Sequence, residues 1–368
     1  MLLVLLWQWT TVRANYGGNW SALFCTGSIR GVPPNLAGEH IYQFQESTGY
    51  DGQIYHYMAH DPLFRSAELK PFVDAPRLRY RRILVPALAW MLAVGQSEWV
   101  DWAYRVECLL WIGLGVFWSA ELCVSFGRPA AWGLAFVLLP ATLVTIDRMV
   151  VDGVLATLSV GFVLYVKRGS WHLWVVLALA ALTRETGLLL LGGYCGYLLL
   201  RRQWAPMLRF SLAAVPAALW FAYVDAHTAA IHIATNPIPL GSIAAAIFHP
   251  APYPPNVPLV PILLAADELA IAAAIFAFSL VVFLVFVRRC LQPECLAAFG
   301  FVLTGIALQN ADHWTNVFHY SRVYTPLLIV LALHGLSQRS AIWIVPWLAM
   351  LPRIGMQLAP QILHVLGR

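Results

Sequence analysis

Long apolar runs separated by short polar turns are the feature of this sequence that most limits how it can fold. The runs occupy residues 103–125, 130–146, 150–166, 171–183, 186–200, 208–224, 262–287, 295–309, 322–336 and 341–358. Only 11% of the 368 residues are charged and 60% are hydrophobic, whereas soluble chains carry about a quarter charged residues. We therefore predict an all-α fold, a polytopic transmembrane bundle of about 10–11 helices that forms a single domain over residues 1–368.

Four segments lie outside these runs. Residues 1–9 are apolar but shorter than the roughly 20 residues of a spanning helix. We interpret them as the second half of a first transmembrane helix, either because the start of the sequence is placed too late or because this helix is unusually short. Residues 11–82 are predicted to form a large outer loop. Residues 82–95 form a short amphipathic segment, broken by Pro86, that we expect to lie along the membrane interface. Residues 225–261, which are rich in Pro and His, are expected to form a second, irregular outer loop.

Basic residues are distributed unequally between the two sets of turns. One set carries Arg128, Lys167, Arg168, Arg201, Arg202, Arg209, Arg288, Arg289 and Arg339, and the other carries Arg148, Arg184 and Arg322. Because cytoplasmic loops are enriched in Lys and Arg, the first set marks the cytoplasmic side, and residues 11–82 face the exterior. The acids at or near the outer helix ends are then Asp147, Asp152, Glu185, Asp225, Asp267, Glu268 and Asp312.

Polar chemistry is concentrated in residues 50–62, which read YDGQIYHYMAHDP. If a helix begins at Asp51, then Tyr55, Met58 and Ala59 share its face, because residues three, four, seven and eight apart lie on one side of a helix. A carboxylate beside a phenol suits proton transfer. The alternative is that Asp51 only caps the helix by accepting backbone N–H bonds.

Ionisable groups at membrane depth are costly and usually mark a cavity or a site. Together with Asp51, the charges at the outer helix ends are predicted to line one outward-facing cleft. The alternative for each is an internal salt bridge or an interfacial charge exposed to water. The cysteines show neither CxxC spacing nor a His-paired pattern, so they are interpreted as core thiols, and the spacing of residues indicates no dedicated metal site.

Such a cleft suits the transfer of a sugar from a lipid phosphate. Asp51 would be the general base that takes the proton of the acceptor. Arginines would hold the phosphate, because the planar guanidinium binds it well; the candidates are Arg184 and Arg322, with one or more of Arg79, Arg81 and Arg82. The last three would equally bind lipid headgroups at an interface. Further candidate substrate contacts are Tyr55, His56, Asp147, Asp152, Glu185 and His319.

The order of these features resembles the GT-C superfamily of polytopic membrane glycosyltransferases. YDGQIYHYMAHDP, followed by YRRILVPALAW, is similar to the first-loop pattern of uncharacterised bacterial members. LTRETGLLL resembles an Arg-containing helical region of mannosyltransferases in this group, and HYSRVYTPLLIVLAL resembles a late helix that contains Arg and Pro. We expect the protein to depart from the family in two ways, with a truncated first helix and without a sizeable C-terminal soluble domain.

The resemblance implies a GT-C-like fold and an inverting transfer from a polyprenyl-phosphate sugar to a glycan or lipid acceptor, on the outer face of the bacterial inner membrane. It places Asp51 at the position of the catalytic acid residue and leaves acceptor recognition to residues 11–82 and 225–261. Membrane lipids are the other expected partners. No cofactor is implied, although a divalent cation held by Asp51 with Asp147 or Asp152 stays open.

Two other classes of protein fit part of the pattern. A lipid or solute transporter, or flippase, would also line a cavity with charges, but transporters often contain internal repeats with broken helices at matching positions. The two halves of this chain show no such similarity, and a transporter would carry charges nearer the membrane midplane. A non-catalytic scaffold for envelope assembly is the third interpretation.

Overall fold

The structure is a computed structural model that describes residues 1–230, 238–250, 253, 257, 259–307 and 311–367, without the side chains of 311 and 312. Within those residues the fold is entirely helical, and the only β-type pairing is an isolated bridge between Gly27 and Phe44. The all-α prediction is therefore confirmed for the described part of the chain. Asp312 is one of the predicted outer-end acids, and its side chain is not among those that the structure describes. The predicted loop 225–261 is described only in part.

The amino-terminal part combines short helices with loops. Its helices are α1 (Leu2–Asn15), α2 (Asp51–His60), α3 (Pro76–Tyr80) and α4 (Leu84–Leu92), with 3₁₀ turns at Trp20–Phe24, Pro34–Glu39 and Lys70–Phe72. Helix α1 extends past the predicted start of the outer loop at residue 11. Helix α4 confirms a short helix within 82–95, but Pro86 does not break it, because it stands in the first turn, where proline is tolerated.

The middle of the chain consists of longer helices joined by short turns. They are α5 (Ser97–Ser125), a 3₁₀ segment (Ala130–Leu138), α6 (Pro140–Arg148), α7 (Asp152–Arg168), α8 (His172–Thr183), α9 (Leu188–Leu200), α10 (Trp204–Ser211) and α11 (Val215–His227). The predicted run 130–146 is bent by 60° between its two helical parts. Leu139 has an extended backbone there, as the residue before a proline prefers.

The carboxyl-terminal part continues this pattern. Its helices are α12 (Gly241–Phe248), α13 (Val260–Val282) with a π-helical extension (Phe283–Val287), α14 (Pro293–Ala307), α15 (Ala311–Trp314), α16 (Val317–Val323), α17 (Thr325–Gln338) and α18 (Val345–Val365). The expectation that 225–261 is irregular is wrong for α12, which lies within it, and for Asp225, which belongs to α11.

Within the described residues, three helical stretches are long and apolar enough to cross a bilayer: Ser97–Ser125, Trp204–His227 and Val260–Val287, with the bent pair around Pro140 as a fourth if it forms one span. Helix α5 turns a stripe of large apolar side chains outward, formed by Trp99, Trp102, Leu110, Phe117 and Val124. These positions share one face of a helix. Exposed apolar surface of this extent is typical of a protein that contacts lipid.

The helix order brings three charged positions to one end of the fold. Helix α7 starts at Asp152, and α8 runs back and ends immediately before Arg184. Arg322 lies near the end of α16, just before α17, and α17 packs against α7. Helix α2 lies at the same end and is almost wholly enclosed, since residues 52–59 are all buried.

Candidate active site

Asp51 begins helix α2, as the sequence predicts, but it does not cap it. The N-cap residue is Tyr50, and it makes no side-chain capping bond. The Asp51 carboxylate instead pairs with Arg79, 2.8 Å from its Nη1, and with Nη2 of Arg322. Only 15% of the Asp51 side chain is exposed. The capping interpretation is therefore wrong, and the carboxylate points into the protein.

The ionisation of Asp51 is decided by burial and arginines acting in opposite directions. Burial disfavours the charged form, but the guanidinium groups of Arg322, Arg79 and Arg82 outweigh it and hold the pKa of the carboxyl well below its ordinary value. Because the pKa is depressed in the fold, the Asp51 ion pairs are intact at neutral pH and are lost only as the pH falls through that low value.

Arg322 joins two carboxylates from distant parts of the chain. Its Nη2 contacts Asp51, and its Nη1 lies 3.3 Å from Oδ2 of Asp152. The other oxygen of Asp152 pairs with Nη1 of Arg184. Arg322, Asp152 and Arg184 are all buried, and Asp152 is only 2% exposed. Burying such groups is costly unless each charge is matched, so their pairing holds these helix ends in one arrangement.

A second branch of the network comes from the loop that precedes α4. Arg82 donates to both oxygens of Glu185, at 2.9 Å from Nε and 2.6 Å from Nη2. It also donates from Nη1 to the Tyr55 hydroxyl at 3.0 Å. Glu185 lies 3.8 Å from Nε of Arg184. Thus Tyr55, one turn after Asp51, is tied to the same set of charges.

Within the described residues, guanidinium groups outnumber carboxylates in this network by five to four. The carboxylates are Asp51, Asp74, Asp152 and Glu185, and the guanidinium groups are Arg30, which pairs with Asp74 at 3.3 Å, Arg79, Arg82, Arg184 and Arg322. Two of these guanidinium groups also have an unused hydrogen-bond donor. Nε of Arg184 and Nε of Arg322 are buried without a hydrogen-bond acceptor in the described part of the chain. An unfilled donor on a buried guanidinium is a place for an anionic oxygen.

The ring of Tyr50 links Arg148, Asp147 and His319 to the network. The ring contacts the guanidinium groups of Arg148, at 4.5 Å, and Arg322, at 5.0 Å. It stacks at 5.8 Å on His319, and Arg148 pairs with Asp147 at 3.2 Å. Sequence reasoning missed Tyr50, although an aromatic residue directly before the candidate base was a usable signal.

Two predicted site residues lie elsewhere. Arg81 binds Asp225 at 2.9 and 3.0 Å, beside Arg77, which binds the same carboxylate at 2.7 Å. His56 faces away from Asp51 and lies 2.5 Å from Asp101. Neither touches the network around Asp51, so the fold does not place them where the sequence analysis expects a bound phosphate or sugar.

The predicted convergence of all outer-end acids is wrong for Asp225 and for two others. Asp267 pairs with Arg353 at 2.6 Å and accepts a hydrogen bond from Tyr253 at 2.5 Å. Glu268 is exposed. These acids point to other surfaces because their helices pack at other angles around the fold, which helix-end position alone does not reveal.

The Asp267 cluster lines a cavity of about 290 Å³ next to α16. Its polar and aromatic lining includes Tyr253, Asp267, Trp314, Asn316, Tyr320 and Arg353. Aromatic faces combined with fixed hydrogen-bonding groups suit a sugar-like molecule. Because Tyr320 and Arg322 belong to the same short helix, this cavity and the charge network are neighbours.

A divalent cation shared by Asp51 and Asp152 does not fit this geometry. The guanidinium group of Arg322 lies between the two carboxylates and contacts both. Asp147, the other proposed ligand, pairs with Arg148. The position that a bridging cation would take is therefore filled by a cationic side chain of the protein itself.

Gly52 allows α2 to approach the neighbouring chain. A Cβ at this position would overlap the backbone carbonyl oxygen of Arg148 and lie 3.0 Å from that of Phe24. We expect Gly52→Ala to destabilise the protein by about 1–3 kcal/mol, because backbone has to move. Gly355→Ala, where a Cβ meets nothing within 4 Å, is the control and should be neutral or stabilising. Thermal unfolding in detergent measures both, and equal effects would contradict the close approach.

The chain was compared with known proteins in three ways. No family model matches it, and neither a curated protein nor a solved structure is significantly similar to it. What the fold and the site define is a helical protein with helices long and apolar enough to span a membrane, and with a buried network of carboxylates and guanidinium groups at one end.

Proposed function

We propose that this protein is a membrane glycosyltransferase that moves a sugar from a polyprenyl-phosphate donor to an acceptor hydroxyl. The observation that carries the proposal is the buried cluster around Asp51. Carboxylates and arginines from five separate stretches of chain meet there, and two guanidinium N–H donors have no acceptor among the described residues. A proton acceptor beside arginines that can receive an anion is the equipment such a transfer needs.

Phosphate binding would proceed by exchange of partners. Arg322 and Arg184 are already paired with carboxylates, so a donor phosphate gains its contacts by replacing those carboxylates, beginning at the free Nε donors. Release of Arg322 from Asp51 removes the main interaction that depresses the pKa of this carboxyl. Donor binding would thus convert Asp51 from an ion-pair partner into a competent base.

The chemical step follows from these roles. The acceptor oxygen attacks the anomeric carbon, while Asp51 takes its proton. The bond between the anomeric carbon and the phosphate oxygen breaks, and its electron pair leaves with the polyprenyl phosphate, whose charge the arginines stabilise. Attack opposite to the leaving group inverts the anomeric configuration.

We also propose a location for this protein, an orientation in the membrane and a site for the acceptor. We assign the chain to a multi-pass, GT-C-like bundle of about 10–11 helices in the bacterial inner membrane. The excess of basic residues on the opposite turns supports an orientation with the Asp51 network toward the periplasm or exterior. The cavity beside α16 is the best-lined place for a glycan or lipid acceptor, since it combines Trp314 and Tyr320 with Asp267 and Arg353.

The direct test uses the purified protein in phospholipid vesicles with a panel of polyprenyl-phosphate sugars labelled in the sugar. The expected result is time-dependent formation of free polyprenyl phosphate with transfer of the label to an added glycan or lipid acceptor. If label crosses the bilayer still attached to its lipid, with no release of polyprenyl phosphate, the enzyme interpretation is wrong.

The exchange of partners predicts a difference between two pH profiles. The acid limb of kcat/KM reports the free enzyme, where arginines depress the pKa of Asp51, and the acid limb of kcat reports the donor complex. We expect the limb of kcat to lie about one to three pH units higher, because the complex has lost the Arg322 pair. Coincident limbs would show that the arginines stay on Asp51 during the reaction.

One observation favours the transporter as a second candidate. A cavity of about 500 Å³ lies at the opposite end of α7 and α17, and its lining includes Lys167, Glu294 and His334. Polar cavities at both ends of a helical bundle suit movement of a solute between them. The vesicle experiment separates the two functions, because transport leaves the glycosidic bond intact.

A further inference from the structure

Four side chains that take no part in the Asp51 network meet at the far end of α2. They are Glu39, His56, His60 and Asp101, and one ligand atom from each lies within 4.8 Å of all the others. His56 and His60 are one helical turn apart, so both imidazoles project from one face of α2. Their side chains are 0% and 3% exposed, whereas the two carboxylates are partly exposed. The cluster therefore has a buried imidazole side and a carboxylate side open to solvent.

The hydrogen bonds determine which nitrogen of His60 faces the cluster as an acceptor. The Ser97 hydroxyl donates its one proton to Oε1 of Glu39, and Nδ1 of His60 lies 2.7 Å from the same hydroxyl oxygen. Nδ1 must then carry the proton of that contact. In a neutral imidazole this leaves a lone pair on Nε2 of His60, which points at the other three groups.

Two separations between ligand atoms match those around a tetrahedral ion, and all of the separations are below 4.8 Å. Nε2 of His60 lies 3.2 Å from Nε2 of His56 and 3.4 Å from Oε2 of Glu39. With metal–ligand distances of about 2.0–2.2 Å, neighbouring ligand atoms around tetrahedral zinc are about 3.3 Å apart. The shortest separation, 2.5 Å between His56 and Asp101, has to lengthen when an ion enters.

We propose that Glu39, His56, His60 and Asp101 form a structural zinc site. Imidazole nitrogens with carboxylate oxygens are a ligand set that zinc accepts, and two carboxylates neutralise its charge. The Ser97 contact is the kind of outer partner that orients a metal-binding histidine. Zinc binding releases the proton that His56 otherwise shares with Asp101, and that proton passes to solvent.

The site joins three separate parts of the fold. Glu39 ends the 3₁₀ turn Pro34–Glu39 of the large loop, the histidines lie in the second half of α2, and Asp101 lies in the first turns of the spanning helix α5. A bound ion would fasten the loop and α2 to the membrane domain. Asp51 lies at the start of α2, about 14 Å from His60 and about 8 Å from His56 by the rise of a helix, so we assign the ion a structural role that is separate from the proposed transfer reaction.

The test uses the full chain, purified in detergent with an affinity tag that contains no histidine. Metal analysis of the wild type should give about one zinc per chain. After chelation, zinc should raise the midpoint of thermal unfolding, whereas magnesium should not, because magnesium prefers an all-oxygen octahedral site. Glu39→Gln and His60→Gln should each reduce zinc affinity at least tenfold. The control is His172→Gln, an exposed histidine that also contacts a serine, and it should bind zinc like the wild type.

Several results would overturn the zinc proposal, and one variant protects the test against misfolding. Glu39 is partly exposed, so Glu39→Gln keeps the test valid if His60→Gln does not fold. Wild-type protein that holds no zinc and shows no rise in unfolding temperature on zinc addition overturns the proposal. Equal zinc binding by the wild type and Glu39→Gln, or by His60→Gln, also overturns it. None of these measurements depends on sugar transfer, so failure of the proposed enzyme activity leaves the zinc test intact.

Discussion

Asp51→Asn is expected to slow sugar transfer by about 10²–10⁴-fold, which is the usual contribution of a positioned general base. The amide has nearly the shape of the carboxylate but cannot accept the proton of the acceptor hydroxyl. Donor binding should change far less than turnover, because the arginines remain in place. The measurement is the initial rate of polyprenyl phosphate release in vesicles, together with donor affinity from its concentration dependence.

The matched control is Asp74→Asn. Asp74 also pairs with Arg79, at 2.7 Å, but it does not contact Arg322 and is more exposed than Asp51. If Asp51 only neutralises arginines, the two variants should lose similar activity and stability. A turnover defect in Asp51→Asn that Asp74→Asn does not share would identify the base. Near-normal turnover of Asp51→Asn would remove this residue from the mechanism.

Arg322→Ala is expected to lower the free energy of unfolding by about 3–5 kcal/mol, as breaking a buried ion pair from one side usually does. Arg322 is 6% exposed and is the shared partner of Asp51 and Asp152, so its loss leaves two enclosed carboxylates short of a counterion. Denaturant unfolding in mixed micelles measures the loss. Adding Asp152→Asn to this variant should recover part of it, because an uncharged amide costs less to bury than a carboxylate.

Arg339→Ala is the control for this experiment, because Arg339 is exposed at the opposite end of α17. Its effect should stay within about 0.5 kcal/mol. Arg322→Lys then addresses donor binding, since lysine keeps the charge but loses the fork of donors that grips a phosphate. Donor affinity should fall in Arg322→Lys and not in Arg339→Ala. Equal donor affinities in these two variants would exclude phosphate contact by Arg322.

Much of the helical architecture was predictable because it depends on local pattern. Each predicted apolar run falls on helical structure within the described residues, since an apolar backbone segment satisfies its hydrogen bonds internally only as a helix in such surroundings. The bend at Pro140 and the first-turn position of Pro86 were harder to predict from the sequence. Both depend on whether proline stands inside a helix or at its start, which a shift of a few residues decides.

The sequence predicted several residues of the candidate site but not which of them form ion pairs with one another. Arg184 and Arg322 were selected because charges among apolar residues need partners, and Asp51 because it begins the polar stretch rich in Tyr and His. Which partner each has was not visible, because Asp51 and Arg322 are 271 residues apart in sequence. The same limit explains why Arg81 was grouped with Arg79 and Arg82, although adjacent residues point in different directions.

The cluster of Glu39, His56, His60 and Asp101 shows the limit most clearly. Only the two histidines are close in sequence, and their spacing of four places them on one helical face. The carboxylates come from a loop turn and from the spanning helix, and packing alone brings them within reach.

The amino-acid sequence by itself determined that this protein is helical, that it suits a membrane, and that its unusual charges stand near helix ends. Apolar runs and scattered ionisable residues express those properties locally. Only the tertiary structure decided that Arg322 separates Asp51 from Asp152, that Arg81 turns to Asp225, and that His56 belongs to another cluster. The physical reason is that ion pairing requires contact within a few ångströms, and contact between distant residues is set by how helices pack.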